Sequence, residues 1–242
     1  MENTILLKLV KKLTKTSIIL ILTLLLTGFG PLSSLFLKKI KAPEGQEEWV
    51  AKKISEIMLQ ANNIDRKALK LGLVVYLNAK KKGLAKKEIL TLIDYSKPST
   101  RKRLWVIDVK NAKILMRTWV SHGAKSGKLK PTSFSNDIGS LKSSLGVFKT
   151  TKTYTGGHGY SLRLVGLENG INDHALSRYI VIHGADYANH DHIEKHGFLG
   201  RSSGCPAVSN DTVKPLINTI KDNSLVVVYY PDRKWINNST FL

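Results

Sequence analysis

The apolar positions of this chain change their spacing twice. Between Ile18 and Leu26 they form an almost unbroken core, inside an uncharged run from Thr16 to Leu37. From Trp49 to Ala79 they recur at three- and four-residue intervals, the period of a helix with one buried face. Trp49, Ile54, Ile57, Met58 and Ala61 mark the first such face, preceded by Glu47-Glu48. Ala68, Leu69, Gly72, Val75, Tyr76 and Ala79 mark the second; Asp65 is placed as its N-cap, and Lys80 to Lys82 with Gly83 as its stop. This spacing predicts a helical pair packed on whatever follows. From Ile89 onward the runs are short and rich in β-branched residues: Leu90 to Asp94, Leu104 to Val109, Ile114 to Val120, Gly146 to Thr153, Leu162 to Val165, Tyr179 to Ile182 and Leu225 to Tyr230. They read as strands, with a hairpin about Lys110-Asn111. One further helix is predicted over Asp211 to Lys221, with Asp211 as N-cap. Many short strands with little helix between them predict a mainly β fold, a sandwich or barrel, behind a short N-terminal helical segment.

The first apolar run follows Lys8, Lys11, Lys12 and Lys15 and ends near Gly28, Gly30 and Pro31, the layout of a bacterial secretory signal. It is also long enough to span a bilayer, with the lysines holding the N-terminus inside. Residues 1–37 are therefore expected to be a signal peptide or a membrane anchor, with the remainder outside the cytoplasm. The expected organisation continues as a linker and helical segment over 38–88, a catalytic domain over 89–232 and a C-terminal tail over 233–242. The formal charge of +20 at pH 7 predicts attraction to polyanions. Its lysines are scattered in short clusters with no interleaved aromatics, so no nucleic-acid partner is expected; an anionic wall or membrane surface suits the charge.

The chain has one cysteine, Cys205, which excludes an intrachain disulfide and leaves a sole candidate thiol. It sits in a Gly- and Ser-rich turn after Ser203-Gly204, downstream of the strand that delivers His183-Gly184. A thiol with an imidazole brought to it by the fold is the arrangement of nucleophilic catalysis, provided the thiolate is stabilised by an imidazolium or backbone amides. The second ring nitrogen of His183 needs an acceptor, for which the Gly184 carbonyl, Asp186 and Asp173 are candidates. Pro206 has no N–H, so oxyanion donors are sought among the amides of Cys205, Gly204 and Ser203. His158 and Tyr160, in a glycine-rich turn, are candidates for the cleft lining. His190, His192 and His196 have an H-x-H-x3-H spacing that could hold zinc. No Cys or Glu follows in a recognised zinc spacing, so a solvated flap and no metal are expected. The polar stretch Ser121 to Ser144 reads as a functional loop.

Several ordered blocks resemble the L,D-transpeptidase (YkuD-type) catalytic domain, in its divergent murein branch, over Leu90 to Pro231. The family pattern of a histidine, a gap, then Ser/Thr-His-Gly-Cys maps onto His183 and Ser202-Ser203-Gly204-Cys205. Val120 to Gly123 and Ser143 to Phe148 resemble two further family stretches. Ile93 to Pro98, Gly159 to Leu164 and Gly200 to Val208 resemble the divergent branch. Two departures flank the nucleophile: Ser203 stands where a histidine is usual, and Pro206-Ala207 where polar or basic residues are. The resemblance implies a β-rich fold outside the cytoplasm, no cofactor, and peptidoglycan stem peptides as partner. It implies acyl transfer through a Cys205 thioester, with Arg163 or Arg201 facing substrate carboxylates and Ser203 beside them. A hydrolase on the same site, or a non-catalytic wall-binding protein, are the alternatives.

Overall fold

In the computed structural model, residues 39–242 are described. The expected leader, and with it the choice between cleavage and anchoring, lies outside the described residues. Helices α1 (Glu47–Gln60) and α2 (Arg66–Lys81) form where the helical period predicts them. The Asp65 side chain accepts from the amides of Lys67 and Ala68 at 2.9 and 3.0 Å, satisfying two donors that the first turn leaves open. Their apolar faces are buried, and Gly72 lets α2 approach so closely that a Cβ there would meet Leu90 at 3.3 Å. Among the described residues no helix is long and apolar enough to cross a membrane.

Eight strands follow: β1 (Ile89–Asp94), β2 (Leu104–Asp108), β3 (Lys113–Thr118), β4 (Gly146–Gly156), β5 (Gly159–Gly166), β6 (Val181–Gly184), β7 (Ala207–Val208) and β8 (Leu225–Tyr229). They make one sheet in the order β3-β2-β1-β8-β4-β5-β6-β7. β8, Leu-Val-Val-Val-Tyr, is buried along its length, as a strand covered on both faces must be. The β1–β8 and β6–β7 pairs are parallel and the other pairs antiparallel. The sheet curls until its two edges meet. Beyond the end of β3, the Ser121 amide donates to the Ala207 carbonyl at 2.8 Å. Ser202 and Ala124 then donate to His122 and Ser202 carbonyls at 3.0 and 2.7 Å. These bonds make the sheet a nearly closed barrel, so of the two predicted architectures the barrel is the one adopted. Closure also removes most of the exposed edge that an open sheet would present.

The seam is held from inside by Arg103, which is fully buried. Its guanidinium donates to the Val120 carbonyl at 3.1 and 2.9 Å, to the Lys97 carbonyl at 2.8 Å and to His122 Nδ1 at 2.8 Å. It lies 4.8 Å over the Tyr95 ring, whose hydroxyl donates to Ser121. Burial pushes the guanidinium down to about 10, which leaves it charged at neutral pH.

Three short or medium helices complete the chain: α3 (His190–His196), α4 (Asn210–Ile220) and α5 (Arg233–Asn238). The histidine flap thus holds a helical turn, capped by Asn189 and ended by Gly197. Ser209, not Asp211, stands at the N-cap of α4, and Asp211 lies in its first turn. The expected C-terminal tail is structured. Trp235, Ile236 and Phe241 are buried. Trp235 Nε1 donates to Glu168 at 2.9 Å, Ser239 donates to the same carboxylate, and Val147 N donates to it at 2.8 Å. A segment that reads as polar can still dock when a few apolar residues meet a prepared acceptor. Trp235→Ala should cost about 3–5 kcal/mol in urea denaturation, because it removes a large buried ring and strips a donor from Glu168. A loss below 1 kcal/mol would mean that the C-terminal segment is not part of the core.

Candidate active site

Alternation along β6 decides which residues face the cleft. Val181 and His183 share one face; Ile182 and Gly184 share the other. Ile182 belongs to the core. A Cβ on Gly184 would collide with Asn210 and lie 3.1 Å from Val213, so that face is pressed against α4. β7 pairs with β6 in parallel, with His183 opposite Ala207. Cys205 enters that strand two residues earlier. Its half-buried thiol lies against the start of β6: the Val181 amide points at Sγ from 3.5 Å, and Sγ is 3.5 Å from the Tyr179 carbonyl. Thiol and imidazole are thus carried by adjacent, hydrogen-bonded strands.

The turn before Cys205 is tightly specified. Gly204 has φ +132°, a conformation that L side chains rarely adopt, and a Cβ there would meet the Lys142 carbonyl at 2.9 Å. The Gly204 carbonyl accepts from Ser143 Oγ at 3.1 Å, and its amide donates to Ser202 Oγ at 3.0 Å. Ser202 Oγ donates in turn to the Cys205 carbonyl at 2.6 Å. Ser143 Oγ also accepts from Gly123 N at 3.0 Å, which ties the turn to the barrel seam. The Gly204 amide, expected as an oxyanion donor, is therefore spent on Ser202. The amides of Ser203 and Cys205 have no hydrogen-bond partner among the described residues.

His183 is buried, and its Nδ1 donates to the Gly184 carbonyl at 2.9 Å. Of the three expected acceptors this is the one used. Asp186 instead accepts from Asn210 at 2.5 Å, and Asp173 from Asn136 at 2.8 Å. With Nδ1 committed, Nε2 is the free basic nitrogen. Burial lowers the affinity of His183 for a proton, the Gly184 carbonyl partly restores it, and His158 lowers it again. Burial also raises Cys205, against the opposing pull of the Val181 amide and the Arg178 guanidinium. Burial thus moves each group toward its neutral form.

The other expected site residues divide by face. His158, at the tip of the β4–β5 hairpin, stacks on His183 with ring centroids 4.4 Å apart. Arg163 pairs with Val181 and lies over the Tyr154 ring at 4.6 Å, on the cleft face. Tyr160 does not join them. It falls on the opposite face, where its hydroxyl donates to Asn218 of α4 at 3.2 Å, because alternation along β5 turns it away. Arg201 is exposed and donates to the Ala124 and Gly127 carbonyls at 3.2 and 3.3 Å, a clamp on the seam loop. Ser203 is exposed at the turn. His190, Asp191 and Glu194 bring ligand atoms within 4.8 Å of one another, but all three are exposed, and His190 is occupied by Glu194 and the Trp119 ring. A cavity of about 730 Å³ beside α1 and α2, lined in part by Trp49, Lys53 and Tyr76, has neither Cys205 nor His183 in its lining. Arg178, whose charge acts on Cys205, was not singled out by sequence pattern; nothing in its spacing marks it.

A family model described as an L,D-transpeptidase catalytic domain matches residues 60–229. No curated protein matches the chain. Among solved structures, similar chains include an L,D-transpeptidase from Stackebrandtia nassauensis, at 18% identity over 82% of this chain and 87% of that one, with TM-score 0.36. An L,D-transpeptidase from Mycobacterium smegmatis matches at 15% identity over 59% of each chain, with TM-score 0.36. The helical cell shape determining protein Pgp2 from Campylobacter jejuni, as a K307A mutant, matches at 15% identity over 66% of this chain and 57% of its own, with TM-score 0.38. The chain therefore spans 59% of the mycobacterial protein's length.

The seam beneath the site carries a pH signature. Burial, then the Arg103 charge, pushes His122 down to about 3, from the ordinary value near 6.5. Its unfolded form binds a proton more readily, so its neutral burial stabilises the fold above about pH 6.5, and that contribution is lost as pH falls toward 3. Between pH 7 and 4.5 the wild type should lose about 2–3 kcal/mol more than His122→Asn in urea denaturation. Parallel pH curves for the two proteins would show that His122 is not the buried neutral group described.

Proposed function

This chain belongs to the L,D-transpeptidase catalytic domain family, and we propose that it is an exported cysteine acyltransferase acting on peptidoglycan stem peptides. The observation that carries the reading is the registered pairing of β6 with β7, which sets a half-buried thiol beside a strand whose histidine has Nδ1 already committed. The leader-like residues 1–37 support export.

In the proposed reaction Cys205 Sγ attacks the amide carbonyl that follows the L-centre of a tetrapeptide stem. His183 Nε2 takes the thiol proton as the C–S bond forms, which suits two groups that burial moves toward their neutral forms. The unspent amides of Cys205 and Ser203 are the oxyanion donors of this scheme; Pro206 has none to offer, and the Gly204 amide is spent. Collapse of the tetrahedral intermediate breaks the C–N bond. The imidazolium gives its proton to the departing amine of the terminal D-residue, leaving a thioester on Cys205. An amine of a second stem then attacks, His183 accepts its proton, and Sγ leaves as the new amide forms. Arg163 and His158 flank the cleft, where a guanidinium suits the carboxylates of the stem. With water in place of the amine the same steps yield a carboxypeptidase.

The test uses a β-lactam of the carbapenem class and intact-mass spectrometry. One adduct should appear on Cys205 in the wild type and none in Cys205→Ser. His183→Gln should slow acylation by about 10²–10⁴-fold while leaving the thiol present. Donor tetrapeptide with an acceptor amine should give cross-linked product; hydrolysis alone, with acceptor in excess, would select the carboxypeptidase. No adduct and no acyl transfer from a tetrapeptide would overturn the reading.

A further inference from the structure

Arg178 lies in the short connection before β6, immediately ahead of Tyr179, whose carbonyl the Cys205 thiol meets. Its half-buried guanidinium reaches across to the polar loop that the sequence left without structure. Nη1 donates to the Ser135 carbonyl at 2.6 Å and to Ser144 Oγ at 2.5 Å. Nη2 donates to Ser140 Oγ at 3.1 Å and to the Lys142 carbonyl at 2.6 Å. The same Lys142 carbonyl closes over Gly204, and Arg178 Nη2 would stand 3.4 Å from a Cβ placed there. The guanidinium is thus wedged between the 135–144 loop and the turn that presents the nucleophile.

All four of these hydrogen bonds go to neutral oxygens. Among the described residues no carboxylate lies within ion-pair distance of Arg178, so its charge is left uncompensated by its own partners. The anionic groups that its charge acts on are Cys205 first and the exposed Asp137 second. A flexible lysine could carry the same charge, but only the planar fork can bond four acceptors on one loop at once.

We propose that Arg178 is a positioning residue for the reaction: its guanidinium clamps the 135–144 loop beside the nucleophile's turn and supplies the fixed positive charge that the Cys205 thiolate faces. The inference rests on the reading of Cys205 as the nucleophile. It assigns part of the stabilisation of the thiolate to a residue outside the Cys/His pair. Among the described residues Arg178 is the one charged side chain that acts on Cys205. Tyr95 and Tyr187 are both raised by burial first and by Cys205 after it, Tyr95 to about 12.

The experiment measures the rate of iodoacetamide alkylation of Cys205 against pH in the full chain. Because the chain has one cysteine, the signal is unambiguous. Arg178→Met and Arg178→Gln should move the midpoint up by about one unit, leaving about tenfold less thiolate at a pH below it. Arg178→Lys, which keeps the charge and loses the fork, should stay within about half a unit of wild type, by the same charge argument. Ser144→Ala, which removes one loop bond and keeps the charge, should not move the midpoint. Arg201→Met, which removes a cation bonded to the seam instead, should not move it either.

An unmoved midpoint in the neutral variants overturns the proposal, as does a shift in Arg178→Lys as large as in Arg178→Met. Should neither neutral variant fold, Arg178→Lys and Ser144→Ala decide, and a full-unit rise in either overturns it. Failure here is distinct from failure of the acyltransferase reading. An unmoved midpoint with an acylated wild-type Cys205 sinks only the role of Arg178. A shifted midpoint with no acylation sinks only the reaction.

Discussion

A buried guanidinium at the barrel seam is the constraint on which the rest of this structure depends. Arg103 is fully buried and bonds no carboxylate directly; two main-chain carbonyls, one imidazole nitrogen and an aromatic face replace its hydration. Burying a charge is costly unless its donors are satisfied, and here both terminal nitrogens and Nε are in use. Removing one partner from such a set leaves a buried donor unsatisfied, at a cost of about 1–3 kcal/mol or more for a charged group. That asymmetry holds Val120 to His122 in place and forces His122 to stay neutral.

The seam in turn fixes the turn that carries Cys205. His122 and Ala124 bracket Ser202 through the main chain, and Ser202 bonds both the Gly204 amide and the Cys205 carbonyl. Ser143 reaches the same turn from the other side. The turn is therefore held by hydrogen bonds on both sides of a glycine that no other residue could replace without strain. His183 approaches on β6, which is pinned by its neighbours β5 and β7 and by α4 behind it. A thiol and an imidazole on neighbouring strands, with one ring nitrogen already committed, are the rigid support that the proposed acyl transfer calls for.

Much of this was legible in the sequence. The strands announced themselves because their β-branched runs are bounded by turn residues, and the two N-terminal helices by their period and the Asp65 cap. That Cys205 and His183 lie on neighbouring segments was legible because the turn and the strand run are both marked in the sequence. Tyr160 was misplaced because a motif names residues without saying which face they occupy; a single step along β5 separates it from the cleft. The Gly204 amide was assigned to the oxyanion because nothing in the order Ser202-Ser203-Gly204 reveals that the serine folds back on it. Arg103 and Arg178 went unremarked for one reason. Arg103 follows Arg101 and Lys102 in a basic run, Arg178 ends a polar turn, and a buried cation with main-chain partners looks like a solvated one until the chain is folded. The C-terminal segment was read as a tail because Trp235 and Phe241 have no periodic neighbours; Trp235 meets Glu168 and the Phe241 carbonyl meets Asn78, both distant in sequence.

The central claim is that the paired strands make Cys205 a nucleophile toward a stem peptide. The most direct measurement is intact-mass spectrometry of the chain quenched in acid after mixing with a tetrapeptide donor and no acceptor. The account predicts a transient mass increase equal to the donor acyl group without its terminal D-residue, localised to the Cys205 peptide and absent from Cys205→Ser. Release of the terminal D-residue by Cys205→Ser at the wild-type rate would contradict it.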